Sequence, residues 1–223
     1  MPFNTITNII VDDDGALFSY SPSLFNKEES ATLFEKLTST VPYEYTTYVL
    51  DGINIRSPRK MAWFANHNWT YQFSKNHIPG LPAHAWTDAP VVTEIKSRVE
   101  EAIGLKFNCA LVNIYQNGGE FADWHSDDDP WLGDLSNTTI ASVSFGNPRI
   151  FAIQPKDNPN LHNGPIEIEL ESGSLAIMSG NFQQRWQHSL PPSTTKQCSS
   201  RINITFRQIR HPELKPVKKF WNS

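Results

Sequence analysis

From residue 107 onward the chain is cut into short stretches of two-residue alternation, each bounded by turn residues. That rhythm leaves few architectures besides a β-sandwich or a barrel. Residues 107–115 form the first stretch and put Leu111, Asn113 and Tyr115 on one face. Residues 138–145 and 149–154 form two more. In residues 166–171 isoleucine and leucine alternate with Glu167, Glu169 and Glu171, so the three carboxylates are expected to face water. Ser172-Gly173 then turns the chain into residues 175–178, and residues 186–190 and 201–209 complete the series.

The first hundred residues are more mixed. Residues 1–20 read as one or two strands about an Asp–Gly turn. Asp12, Asp13 and Asp14 lack the ligand spacing of a calcium loop and read as an acidic turn. A first helix is expected after Asn26, with Glu29 at the capping-box position and Leu33, Phe34 and Leu37 as its apolar stripe, closed by Pro42. Residues 43–51 read as a strand, and Asp51-Gly52 as a hairpin tip. A second helix is predicted with Asp88 as its cap, Pro90 in its first turn, one face of Val91, Ile95, Val99 and Ile103, and Gly104 at its end. Its role is expected to be covering the outside of a sheet. Between the two, Arg56, Arg59 and Lys60 lie close to Trp63, Trp69, Tyr71 and Phe73. Interleaved cations and rings suit base stacking and phosphate contact, and they equally suit a plain core. Tyr71 and Phe73 share a strand face and can act as a unit.

Composition narrows the function classes. A chain of 223 residues suits one well-cored domain. Its net charge of −4 excludes a broad basic surface, so any nucleic-acid contact must be local. Cys109 and Cys198 cannot by themselves make a disulfide framework or a zinc site, and read as small buried groups in a reducing compartment. The start of the chain lacks a basic leader segment, and no apolar run approaches the roughly 20 residues of a membrane span. The sequons at Asn68, Asn137 and Asn203 then read as chance matches. The protein is expected to be soluble and intracellular, cytoplasmic or nuclear, with no membrane partner.

The chemistry centres on His125-x-Asp127. In extended backbone, residues two apart share a face, so an imidazole and a carboxylate are presented together. His188 in residues 186–190 is the best candidate for a third ligand. Two histidines and one carboxylate leave half an octahedron open, as non-haem Fe(II) oxygenases require. The plainer alternative is a loop histidine hydrogen-bonded to a nearby aspartate. The last strand bears on the choice. Alternation puts Arg201, Asn203, Thr205 and Arg207 on one face and Ile202, Ile204 and Phe206 on the other. The polar face is either solvated or binds an anion, and arginine suits a bidentate grip on carboxylate. A dicarboxylic cosubstrate such as 2-oxoglutarate would need such a cation.

These residues carry a resemblance. Together with Pro58-Arg59, Tyr71-Gln72-Phe73-Ser74, Phe107-Asn108, Asn113-x-Tyr115, Trp124-His125-Ser126-Asp127-Asp128, residues 140–146, Gly173-Ser174-Leu175-x-x-Met178, residues 186–191 and 201–207, the chain resembles the AlkB family of Fe(II)- and 2-oxoglutarate-dependent nucleic-acid dealkylases. The likeness runs from about Pro58 to Ile209 and is to the DNA/RNA-repair members. It implies that His125, Asp127 and His188 are iron ligands and that Asn113, Tyr115 and Arg201 contact 2-oxoglutarate. Arg201 would take the distal carboxylate. Asn203, Thr205 and Arg207 would line the same pocket, Arg207 nearer the metal. Tyr71 and Phe73 fall on the substrate lid, Asp128 and Asp129 beside the triad, and Arg59 on the substrate side. Relatives often carry Glu where this chain has Asp129. The Asp51-Gly52 hairpin falls where some relatives carry a strand-separating finger, here only modestly apolar.

The fold so implied is α+β but mainly β: a double-stranded β-helix (jelly roll) with buttressing helices and an N-terminal substrate-recognition lid. Residues 1–104 would form the extension, lid and supporting helices, 105–210 the catalytic core, and 211–223 a basic tail, one compact unit overall. The activity implied is oxidative demethylation of 1-methyladenine and 3-methylcytosine in DNA or RNA, releasing formaldehyde, with Fe(II), 2-oxoglutarate and O2. Taking a base out of the stack costs least in single strands or damaged pairs. Single-stranded nucleic acid is therefore the favoured partner, and a monomer is expected. The alternatives are a protein or small-molecule hydroxylase on the same barrel, or a non-catalytic nucleic-acid-binding jelly roll.

Overall fold

Alternating strands present two different faces, and here two sheets, antiparallel but for one two-residue edge pairing, face each other across the site. A computed structural model describes residues 8–50, 53–71, 80–193 and 198–210. The elements run β1 (Asn8–Asp13), β2 (Ala16–Ser21), α1 (Lys27–Thr40), β3 (Glu44–Leu50), β4 (Ile53–Ala65), β5 (Ala83–His84), α2 (Pro90–Ile103), β6 (Cys109–Tyr115) and β7 (Ala122–His125). They continue β8 (Ile140–Gly146), β9 (Arg149–Pro155), β10 (Ile166–Leu170), β11 (Leu175–Gly180), α3 (Phe182–Arg185), β12 (Trp186–Leu190) and β13 (Arg201–Arg207). The major sheet has the order β1-β2-β11-β8-β13-β6-β4-β3, with β5 paired to β4; the minor sheet is β10-β9-β12-β7.

Strand β13 shows why the layers form. Ile202, Ile204 and Phe206 pack on one side against Val92, Ile95 and Val99 of α2, in a core that also takes Leu33 and Leu37 of α1. Fully burying each such side chain is worth about 1.5–3 kcal/mol, which fixes the helices on the outer face of the major sheet. Arg201, Asn203, Thr205 and Arg207 point the other way, into the space between the sheets. One end of that space is filled by Phe18, Phe151, Phe182 and Trp186; the other end is left open.

Local signals explain the ends of the elements. The Asn26 side chain accepts from the Glu28 and Glu29 N–H groups, and Glu29 accepts from the Asn26 N–H, a complete capping box. Helix α2 ends as expected at Gly104, in the left-handed region. Its start differs from expectation. The cap position is Ala89, and the Asp88 carboxylate instead accepts from the Ala85 N–H at 2.9 Å, closing a 3-10 turn at Trp86–Asp88. Gly173 stands at φ +84°, where a Cβ would run into Ser30 Oγ and the Phe25 carbonyl. Its own carbonyl accepts the N–H groups of Leu24 and Phe25, which brings the segment before α1 onto the sheet.

Strands β3 and β4 pair out to Leu50 opposite Ile53, as a hairpin at Asp51-Gly52 requires. The tip itself, Phe73 and the basic tail beyond Arg210 lie outside the described residues. Tyr71 makes an isolated bridge to Leu81. Strands β1 to β4 all extend the major sheet, so the N-terminal hundred residues share its framework.

Candidate metal centre and cosubstrate pocket

Strands β7 and β12 are neighbours in the minor sheet, and their register sets His188 opposite His125. The two rings stand 4.3 Å apart. Asp127 follows two residues beyond β7, and ligand atoms of the three side chains lie within 4.8 Å of one another. His125 Nδ1 is 2.6 Å from the Asp123 carbonyl. A carbonyl only accepts, so Nδ1 carries the proton and Nε2 keeps its lone pair for a metal. Asp127 divides its oxygens. Oδ2 accepts from Arg207 Nη2 at 2.6 Å and Nε at 3.2 Å, while Oδ1 faces His125 Nε2 at 3.9 Å.

Burial alone would raise the Asp127 carboxyl, but the Arg207 guanidinium and the two imidazoles hold it well below the usual carboxylate range. His188 is pushed down to about 3, by burial first and by His125 second, so it stays in the neutral form that binds metal. Its Nδ1 is buried with no hydrogen-bond partner, and its ring lies against Phe151. Two neutral nitrogens and one ionised oxygen, open to a cavity of about 440 Å³, fit Fe(II).

The cavity continues to Arg201, which is 2% exposed. Its Nη2 donates to Ser144 Oγ at 2.9 Å and its guanidinium lies 5.4 Å from the Tyr115 ring centre. Nε is buried without a partner, and burial lowers the group to about 10. No carboxylate pairs with it among the described residues. A buried cation left uncompensated is costly, so this one is built to receive an anion. Arg207, on the same face, is already paired with Asp127 and keeps only Nη1 without a partner.

Asn113 and Tyr115 line the cavity with Asn203 and Thr205. Asn203 donates to Ser142 Oγ and the Val143 carbonyl, and Thr205 to the Leu111 carbonyl. Arg59 donates through Nε to Asn113 Oδ1 at 2.8 Å and through Nη1 to the Phe121 carbonyl. It therefore sits on the Asn113 wall of the cavity. Tyr71 is buried between Trp63 and Trp131, at centroid distances of 4.8 and 5.8 Å, with one side on the cavity. Burial first, then the Asp129 charge, raises its hydroxyl well above the usual range. Asp129 is itself buried, and Asp128 lies 3.8 Å from Lys156 Nζ.

Sequence reasoning passed over three contributors. Trp131 closes the Tyr71 slot and lies three residues beyond Asp128. Arg149, 3% exposed, donates to the carbonyls of Asn117, Glu120 and Pro191, tying the loop before β7 to the end of β12. Its inward place at the start of β9 was the available signal. Gln183, 1% exposed, offered none, because it lies in a helix of four residues.

Among the described residues no helix is long and apolar enough to cross a membrane. Residues 18–207 match the 2OG-Fe(II) oxygenase superfamily. The chain is 36% identical over 194 residues to the alpha-ketoglutarate-dependent dioxygenase alkB homolog 3 of Bos taurus, covering 84% of this chain and 64% of that protein. It is 34% identical over 195 residues to the DNA oxidative demethylase ALKBH2 of Mus musculus, covering 83% and 77%. The chain thus spans 64% of the length of the first of these relatives. The structure of OsALKBH1 superposes with a TM-score of 0.55 at 17% identity, over 86% of this chain and 97% of that one, in keeping with the jelly roll expected from the sequence. Shared ligand geometry, an anion-ready arginine and these likenesses agree: the chain belongs to the 2OG-Fe(II) oxygenase superfamily and, within it, to the AlkB homologues.

Proposed function

We propose that the chain is an Fe(II)- and 2-oxoglutarate-dependent dioxygenase that removes N-methyl groups from 1-methyladenine and 3-methylcytosine in DNA or RNA, releasing formaldehyde, as repair of alkylation damage. The observation that carries this reading is one cavity holding both the His125, Asp127 and His188 set and the unpaired Arg201. When bound, Fe(II), 2-oxoglutarate and O2 supply the oxidising chemistry. The chain's own residues bind and orient. Arg201 and Tyr115 take the distal carboxylate of the cosubstrate, Asn113 with Asn203 and Thr205 lines its path, and Arg207 holds Asp127 ionised. Tyr71 backs the extruded base, while Asp128 and Asp129 suit an alkylated ring that carries positive charge.

The activity named for the second relative, a DNA oxidative demethylase, supports a nucleic-acid substrate. The net charge of −4 supports local contact and hence single strands. Both cysteines are free, which supports a reducing compartment, cytoplasm or nucleus. We take the unit to be a monomer, with residues 1–104 extending the catalytic core at 105–210. The test is turnover on single-stranded oligonucleotides carrying either lesion, read by mass spectrometry, with His125→Ala as control. Loss of one methyl per lesion, absent in the control, is the expected result. Consumption of 2-oxoglutarate with every lesion intact would move the substrate to a protein or small molecule.

A further inference from the structure

The loop carrying the carboxylate ligand is pinned, residue by residue, to the corner that leads into β12. Ser126 Oγ donates to the Trp186 carbonyl at 2.8 Å. The Asp127 N–H donates to Gln183 Oε1 at 2.8 Å. Lys156 Nζ donates to the Gln183 carbonyl at 2.8 Å and stands 3.8 Å from Asp128 Oδ2. Gln183 is thus the residue on which the loop converges. It is 1% exposed, in the short helix beside Phe182, where a carboxamide is expensive unless hydrogen-bonded. Among the described residues its Nε2 finds only the Met178 thioether, at 3.4 Å, and sulfur is a weak acceptor. The Asp127 N–H is therefore the contact that accounts for the buried amide, and it fixes the amide's orientation, since only the oxygen can accept.

We infer that Gln183 is a positioning residue for the metal centre. Gln183 holds the main chain of Asp127 while Arg207 holds Oδ2, and Oδ1 is thereby aimed at the imidazoles before a metal arrives. The inference rests on the metal-centre reading above. Without the Gln183 oxygen a buried N–H is left unmet, and the carboxylate loses one of its two anchors.

The test titrates cobalt(II) into the metal-free full chain, reading affinity by calorimetry and ligand geometry by the visible absorption of the bound ion. Gln183→Met keeps the length and removes the strong acceptor; Gln183→Glu keeps the acceptor; His188→Ala is the control for the site. With circular dichroism unchanged, the Met variant is expected to bind about 10–100-fold more weakly with an altered spectrum, as loss of a group supporting a ligand does, and the Glu variant to recover most of the affinity. Wild-type affinity and spectrum in the Met variant would overturn the inference alone. So would equal losses in the Met and Glu variants, which would assign the effect to packing. A wild-type chain that binds no cobalt, or binds it as well after His188→Ala, would overturn the metal-centre reading and this inference with it. Should the Met variant not fold, hydrogen exchange at the Asp127 amide of the wild-type chain decides: protection supports the anchor, and exchange at the rate of an open loop overturns it.

Discussion

Arg201 and Arg207 leave the same face of β13, both with 3% exposure or less, and meet opposite surroundings. Arg207 is neutralised by Asp127, whereas Arg201 has a serine hydroxyl and a tyrosine ring. Arg201→Met should therefore weaken 2-oxoglutarate binding by about 2 kcal/mol or more, roughly 30-fold, and leave cobalt(II) affinity unchanged. A titration of 2-oxoglutarate against each protein checks this, and an unchanged affinity would remove Arg201 from the cosubstrate site. Arg207→Met strands a buried carboxylate and should cost about 3–5 kcal/mol of stability in the metal-free chain, read as a lower urea midpoint. Alternation in the sequence put both arginines on one face, either solvated or anion-binding, and the structure turns that face into the cavity. Their different partners were not legible, because the contact of Arg207 with Asp127 crosses between sheets and depends on how the strands register. The Gln183 anchor was hidden for the same reason: a hydrogen bond to a main-chain N–H leaves no pattern in side-chain types.

The elements divide by how much repeat they carry. Helices α1 and α2 each offer 14 residues, enough for a capping box or a four-position stripe to stand out. Strand β7 and helix α3 offer four residues each, two strand repeats and barely one helical turn, and both sit at the metal centre. Asp88 reads as the cap in the sequence because an acid two residues before a proline fits a helix cap and a 3-10 closure equally well. The far end of α2 carries a second prediction. Glu100 is buried and accepts from Lys96 and Lys106 at 2.8 and 2.7 Å and from the Phe107 N–H at 2.9 Å, so it fastens the helix to the start of β6. Burial opposes its charge, yet Lys106, Lys96 and the Phe107 N–H together hold its carboxyl below the usual value. A lowered folded value means that the stabilisation is complete above the ordinary glutamate range, near 4.3, and is lost as pH falls through the folded value. Lys106 is 84% exposed, so its bridge adds little. Glu100→Gln should cost about 1–3 kcal/mol at neutral pH, with the gap to wild type closing below about pH 4. Urea midpoints at both pH values decide it; a pH-independent gap would mean that the charge contributes nothing.

At the scale of the whole molecule, the proposed substrate is a polyanion while the chain itself carries a net charge of −4. On β4, Arg56 and Lys60 flank the Tyr45 ring at 4.1 and 5.3 Å and have no carboxylate partner among the described residues. The same strand delivers Pro58 and Arg59 to the cavity, so the two cations stand beside its mouth. Two phosphate contacts give a single strand a salt slope, d log K/d log[salt], of about −1.4, far shallower than that of a protein with a broad basic face. Anisotropy titrations of a single-stranded oligonucleotide across a salt series should find that slope, and Arg56→Gln with Lys60→Gln should flatten it towards zero. A slope of about −4 or steeper would require the tail's Lys215, Lys218 and Lys219 to join Arg210 in gripping phosphate. If recognition resides in the cavity rather than in the field, the preference for a methylated over an unmethylated strand must be the same at every salt concentration. The phosphate contacts are identical for the two strands, so their counterion release cancels in the ratio, and the charge on the alkylated ring, met by the buried Asp129, is screened little by salt. What would remain, on the proposed function, is the contact of one extruded base with Tyr71, Asp128 and Asp129, and a preference that shrank with salt would transfer discrimination from the pocket to the surface.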